Sequence, residues 1–141
     1  MRPAFSLLGV VLLVGCGSAS TPTTPSQTPA PVNPPSVTQV WEGTLATGAT
    51  RFYAFTVGLN GTVNITLEGL TGPGVDENTR VSLGTGYPAG TGCIVQSAVD
   101  AAPSAEPQVS TTTAPGVYCV QLSDTGSLTA PTNFRLVIAH P

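Results

Sequence analysis

No lysine occurs in this chain, and its cations are four arginines, Arg2, Arg51, Arg80 and Arg135, with His140 as the one histidine. Charged residues amount to 8% of the sequence, so solubility must rest on hydroxyls, amides and backbone. So few cations cannot assemble a face that neutralises a run of phosphates, which removes nucleic acid as a partner class. A lone histidine one residue from the end leaves acid–base and triad chemistry without an organising imidazole, and a residue so placed is expected to be mobile. Long apolar runs are missing as well. The longest, Ala4 to Gly15, has twelve residues and as a helix would reach only about 18 Å, against a hydrocarbon core of about 30 Å.

That short run is nevertheless informative. Arg2 precedes it, giving the charged start and greasy middle of a secretory signal. It ends in Leu13-Val14-Gly15-Cys16, which resembles the lipobox of bacterial lipoproteins: an aliphatic residue, a small or branched one, Gly or Ala, then cysteine. In that family the thiol receives diacylglycerol, the preceding peptide is removed, and the new amino terminus is usually acylated too. Two or three acyl chains hold a protein to a bilayer durably where one does not. The resemblance implies that residues 1–15 are a lipoprotein signal peptide, that Cys16 is the lipidation site, and that the membrane is a partner through this lipid. It also implies an exported protein of the cell envelope. Gly17 stands where an aspartate would resemble an inner-membrane retention signal, which favours the outer membrane. The competing reading is an ordinary cleaved signal with a chance cysteine at its end.

From Gly17 to Ser36 the chain reads GSASTPTTPSQTPAPVNPPS, with six prolines, eight serines or threonines, and Val32 as the one large apolar side chain. This composition cannot bury enough surface to offset the entropy of ordering it, so residues 16–36 are expected to be the lipidated cysteine and a disordered, partly polyproline II tether. Twenty residues at about 3.1 Å each would hold whatever follows roughly 60 Å from the lipid surface. No PxxP run is flanked by basic residues, which argues against a ligand for a proline-binding groove.

Residues 37–141 are enough for one domain with one core. After Gly15 the chain keeps three arginines against seven acids, a net charge of about −4. With Cys16 assigned to lipid, Cys93 and Cys119 remain as a pair. An exported chain meets oxidising conditions, so a disulfide is expected, closing a loop of about 27 residues and contributing about 3 kcal/mol in the chain-entropy model. The alternative is two free buried thiols. Neither cysteine has a CxxC neighbour or a histidine partner, which removes metal and redox roles.

Short alternating runs separated by Gly, Pro and Asn recur about every ten residues. They predict strands at 38–43, 50–57, 62–68, 80–83, 93–97, 108–112, 117–122 and 133–139, and about eight short strands in one domain suggest an all-β, antiparallel, jelly-roll-like sandwich. Alternation assigns Tyr53, Phe55 and Val57, Val63, Ile65 and Leu67, Tyr118, Val120 and Leu122, and Phe134, Leu136 and Ile138 to the core. Cys119 then points the other way, so a bridge to Cys93 is expected on an outer face or near an edge. The Asn60-Gly61 pair is the dipeptide favoured in a tight type I′ hairpin.

The stretches VWEGTLATGATRFYAFTVGLNGTVNITLEG, TRVSLGTG and APGVYCVQLSDTGSLTAPTNFRLVIAH together resemble the bacterial pre-peptidase C-terminal domain, a jelly-roll-like sandwich appended to secreted proteases and many other exported proteins. The shared cues are a Gly before the second strand, an aromatic-rich strand ending in Val, a glycine-led third strand, the Gly-x-Tyr start at Gly116 to Tyr118 and the aromatic-x-Leu strand at Phe134. The resemblance covers nearly all of 38–139 and implies an accessory module. The chain lacks the family's Asp-rich fourth strand, here TRVSLGTG, so the calcium binding of some relatives does not carry over.

Three groups of residues invite a chemical reading. Asp124-Thr125-Gly126-Ser127 resembles the Asp-Thr-Gly signature of aspartic proteases, where two carboxylates share a proton. Fewer than twenty residues follow it, with no room for a flap or a second glycine motif, and the string reads better as a polar turn. Asp76-Glu77-Asn78 is the densest group of oxygen ligands for a hard cation such as calcium, but its spacing is not that of an EF-hand and a solvated loop explains it. Trp41 and Tyr87 are the aromatics that alternation leaves outside the core, and they are the candidate ligand face. The expectation is therefore a lipid-anchored envelope protein displaying a non-catalytic sandwich, without cofactor or resident metal, whose partners are the membrane and a protein or glycan ligand. Its alternatives are a structural part of an envelope assembly and, last, an Asp124-dependent hydrolase.

Overall fold

A computed structural model of the protein describes residues 36–141. The expected signal peptide, Cys16 and all but the last residue of the expected tether lie outside the described residues. Eight strands follow one another: β1 (Val37–Leu45), β2 (Thr50–Val57), β3 (Gly61–Thr71), β4 (Val81–Ala89), β5 (Gly92–Ala101), β6 (Val109–Thr113), β7 (Gly116–Ser123) and β8 (Thr132–His140). They form two four-stranded antiparallel sheets in the orders β1-β8-β3-β6 and β2-β7-β4-β5. Of the strands consecutive in sequence, only β4 and β5 are neighbours in one sheet, and every other connection passes between sheets. This is the strand order of a jelly roll, and the fold is a β-sandwich.

Period-two alternation builds the core. In β3 the side chains of Val63, Ile65 and Leu67 turn inward, in β8 Phe134, Leu136 and Ile138, in β7 Val120 and Leu122, and in β2 Phe55 and Val57; all are buried. Leu45, Val81 and Leu83 complete the layer. Each such side chain contributes about 1.5–3 kcal/mol relative to exposure. Tyr53 and Tyr118, expected inside, pack against this cluster but are partly exposed; Tyr53 lies on edge strand β2, and Tyr118 near the start of β7.

The Asn60-Gly61 step is not a hairpin. It carries the chain from β2 in one sheet to β3 in the other, and Gly61 is not among the glycines with positive φ. Its smallness has a tertiary cause: a Cβ there would lie 2.7 Å from the ring Cγ of Pro141. The final residues are correspondingly fixed. The Pro141 carbonyl accepts from the Gly58 N–H at 3.2 Å. His140, expected to be mobile, is 3% exposed, packs on the Phe55 ring at 5.5 Å between centroids and lies 3.2 Å from the Gln39 amide nitrogen.

Two irregularities shape the sheets. The β3–β8 register shifts between Leu67 and Gly69, and on the other, β6 side of β3 the Gln108 side chain continues the ladder: its Oε1 accepts from the Leu67 N–H at 2.8 Å, while its amide nitrogen donates to the carbonyls of Leu67 at 3.2 Å and Ala102 at 2.9 Å. A second shift falls between Thr85 and Gly86 in the β4–β5 pair. Beyond it the start of β5 folds back over β4. Cys93 on edge strand β5 reaches Cys119 on β7 with a Cα–Cα distance of 5.9 Å although β4 lies between them, where flat strands two apart would stand about 9–10 Å from each other. The pair is disulfide-bonded. Glycine makes the fold-back feasible, since a Cβ at Gly86 would lie 1.9 Å from the Ile94 carbonyl oxygen. The covering hairpin is also why Cys119, on the outward side of β7, is fully buried.

Candidate functional site

The sandwich has two lateral edges, and they are finished differently. At the β1/β2 edge Trp41 points inward and stacks on Tyr53, with centroids 4.5 Å apart and planes at 25°, and Tyr53 in turn meets Phe134 at 6.2 Å. Gly43 leaves room for this stack, since a Cβ there would sit 3.1 Å from Phe134. Trp41 is thus packed into the edge of the core, with its Nε1 buried and without an acceptor among the described residues.

At the other edge, where β6 faces β4 and β5, a cleft of about 280 Å³ opens between the sheets. Thr111 and Thr113 of β6 line one wall, Thr85 and Tyr87 of β4 with Gln96 of β5 line the other, and Tyr118 forms the floor. Tyr87 is 52% exposed and rests on Tyr118 with centroids 5.5 Å apart. Tyr118 is fixed by its hydroxyl, which donates to the Ala114 carbonyl at 2.8 Å. Thr85 donates its hydroxyl to the Cys119 carbonyl at 3.2 Å, coupling the wall to the disulfide. Thr113 Oγ1 is buried and finds no hydrogen-bond partner. Among the described residues no charged side chain lines the cleft. Tyr87 and Trp41, paired by alternation as a candidate face, therefore lie at opposite edges; the true neighbour of Tyr87 is Tyr118. Its inward parity was legible, but the incomplete closure of the sheets above it was not.

The other candidate residues are occupied by the fold. The Asp124 carboxylate, 9% exposed, accepts from the N–H groups of Gly126 at 2.9 Å, Ser127 at 2.9 Å and Leu128 at 3.1 Å through Oδ1, and of Gly48 at 2.7 Å through Oδ2. Burial alone pushes its pKa up, but the four backbone donors outweigh this and hold it below the ordinary carboxylate value. Asp124 is the organiser of a turn and of the junction between two loops. Asp76 does the same on a smaller scale: its Oδ1 accepts from the Asn78 N–H at 2.9 Å and the Thr79 hydroxyl at 3.1 Å, and Thr79 Oγ1 accepts from the Asp76 N–H at 2.9 Å. Among the described residues no three of His, Cys, Asp and Glu converge as a metal site would need.

A second hollow, of about 440 Å³, lies on the outer face of the β1-β8-β3 sheet. Among the described residues lining it the one cation is Arg135, which donates to Glu68 at 2.8 Å and also to Glu42, and these two carboxylates, Glu68 first, raise its pKa. A guanidinium shared by two carboxylates is not free to select an anionic ligand. Comparison with protein-family models, with curated proteins and with solved structures finds no match to this chain.

Proposed function

We propose that this chain is a lipid-anchored protein of the bacterial cell envelope whose β-sandwich is a non-catalytic binding module, carried on the Ser/Thr/Pro-rich tether of residues 16–36. The observation that carries the binding role is the contrast between the two kinds of polar group in the domain. Asp124, the carboxylate that a hydrolase reading would need, spends its lone pairs on backbone N–H groups. The recess at the β5/β6 edge is uncharged, hydroxyl-lined and aromatic-floored, a surface suited to holding a ligand and not to transforming one. The anchor rests on Leu13-Val14-Gly15-Cys16, and the accessory role is in keeping with the likeness to the pre-peptidase C-terminal domain.

Intact-mass measurement of the protein purified from membranes tests the anchor: a chain starting at Cys16 and heavier by two or three acyl groups is expected, and Cys16→Ser should move the protein out of the membrane fraction. A mature chain beginning elsewhere, or without acyl mass, sinks it. The binding role is tested by passing envelope glycans and proteins over the immobilised full chain; retention of nothing above an unrelated sandwich refutes it. A second reading, a fixed structural part of an envelope assembly, draws on the exposed Val37 and Val40 of edge strand β1. It predicts stoichiometric co-purification that survives mild detergent.

A further inference from the structure

Resting on the binding-module reading, we infer that the β5/β6 cleft is a subsite for a neutral carbohydrate, with the Tyr87 ring as stacking face and Thr111 and Gln96 as its polar contacts. Three features of the cleft agree on this chemistry. The first is charge. With no ionised group in its lining, the cleft offers no counter-charge to a phosphate, a carboxylate or an ammonium, and a charged ligand would lose hydration there without replacement.

The second is the aromatic pair. A sugar ring presents a face of C–H groups that packs against an aromatic face, and its hydroxyls lie around the rim. Tyr87 supplies the face, with about half its surface free, and the Tyr118 ring beneath it, itself tied to Ala114, holds that face in place before any ligand arrives. Prior fixing of this kind lowers the ordering cost of binding.

The third is the distribution of hydroxyls. Thr111 stands across the cleft from Tyr87, and Gln96 lies exposed beside it. A threonine hydroxyl both donates and accepts, and an amide offers two donors and an acceptor, which matches the hydroxyls around the rim of a sugar. The space of about 280 Å³ is below the roughly 300–1,000 Å³ of drug-sized sites and suits a ring or two of a longer chain. An extended peptide would call for a succession of side-chain pockets along β6, and the wall there is a run of threonines.

The test is equilibrium titration of the purified full chain with the hexasaccharides of maltose, cellulose, mannan, xylan and chitin, with a polygalacturonate hexamer as the anionic control and a polyproline decamer as the peptide control. Saturable binding of at least one neutral hexasaccharide at millimolar concentration or below is expected. Tyr87→Ala should weaken it at least tenfold, Tyr87→Phe should retain it, and Gln96→Ala, a change at an exposed position that leaves folding intact, should weaken it several-fold. Failure of all five neutral sugars overturns the inference, as does sugar binding that is indifferent to both Tyr87→Ala and Gln96→Ala. Tighter binding of the anionic control, or polyproline binding lost in Tyr87→Ala, also overturns it while leaving the binding-module reading standing.

Discussion

Four backbone N–H groups converge on the Asp124 carboxylate, and one of them, from Gly48, lies 76 positions away in sequence. Each hydrogen bond to a charged acceptor is worth more than a neutral one, and truncation strands all four donors, so Asp124→Ala is expected to cost about 2–4 kcal/mol in urea unfolding. The same geometry fixes a pH dependence. The folded-state pKa is depressed, so the contribution of Asp124 is fully present above the unfolded-state pKa of about 3.9 and is lost as pH falls through the lower folded value. Unfolding midpoints measured from neutral pH down into that acid range should decline for the wild type, and less steeply for Asp124→Asn. A midpoint profile identical in the two proteins would contradict the assignment. The turn around Asp124 was legible from Asp-Thr-Gly-Ser, whose residues favour turns. Its partnership with Gly48 was not, because no local pattern reports which distant N–H will face a carboxylate. His140 teaches the same lesson in reverse: a position beside the last residue suggests motion, and burial against Phe55 prevents it.

The β4–β5 hairpin is where local rules mislead most. Gly84, Gly86 and Pro88 punctuate β4 and shorten the strand predicted there to 80–83, whereas it runs to Ala89. The glycines are present for close approach: β5 doubles back over β4, and at Gly86 a Cβ would overlap the Ile94 carbonyl. Backbone cannot yield as a flexible side chain can, so Gly86→Ala should destabilise by more than about 3 kcal/mol, placing it among the largest single-substitution effects in the domain by thermal or urea unfolding. The disulfide holds the same fold-back. Replacing both Cys93 and Cys119 by serine should lower stability by about 3 kcal/mol in the chain-entropy picture. It should also raise hydrogen exchange in 84–96 above that of β3 and β8, since β5 is an edge strand held to β7 across β4 by this link. Exchange raised uniformly through both sheets would show instead that the bond stabilises only globally. Pairing of the two cysteines followed from their number and from the expectation of export; that they would reach across an intervening strand did not.

In the molecule as a whole, the core is continuous between the sheets and its members come from all parts of the domain. Leu136 is fully buried at the centre of β8, between β1 and β3. Leu136→Ala should therefore cost about 3 kcal/mol, measured by urea unfolding at neutral pH. The same change at the exposed Val117 (Val117→Ala) should fall within about 0.5 kcal/mol of wild type. If the two substitutions proved equally mild, the assignment of faces would be wrong.

All eight strands, and ten of the seventeen residues of the buried cluster, could be read from the chain alone, because a strand with one buried face must alternate its side chains with period two and that alternation survives in the letters. Which sheet each strand joins, how Asn60-Gly61 crosses between sheets, and why Trp41 packs into one edge while Tyr87 borders an open cleft at the other arise only when strands far apart in sequence pair and pack. Those contacts are chosen by the closure of two curved sheets on a shared interior, and that is a property no segment carries by itself.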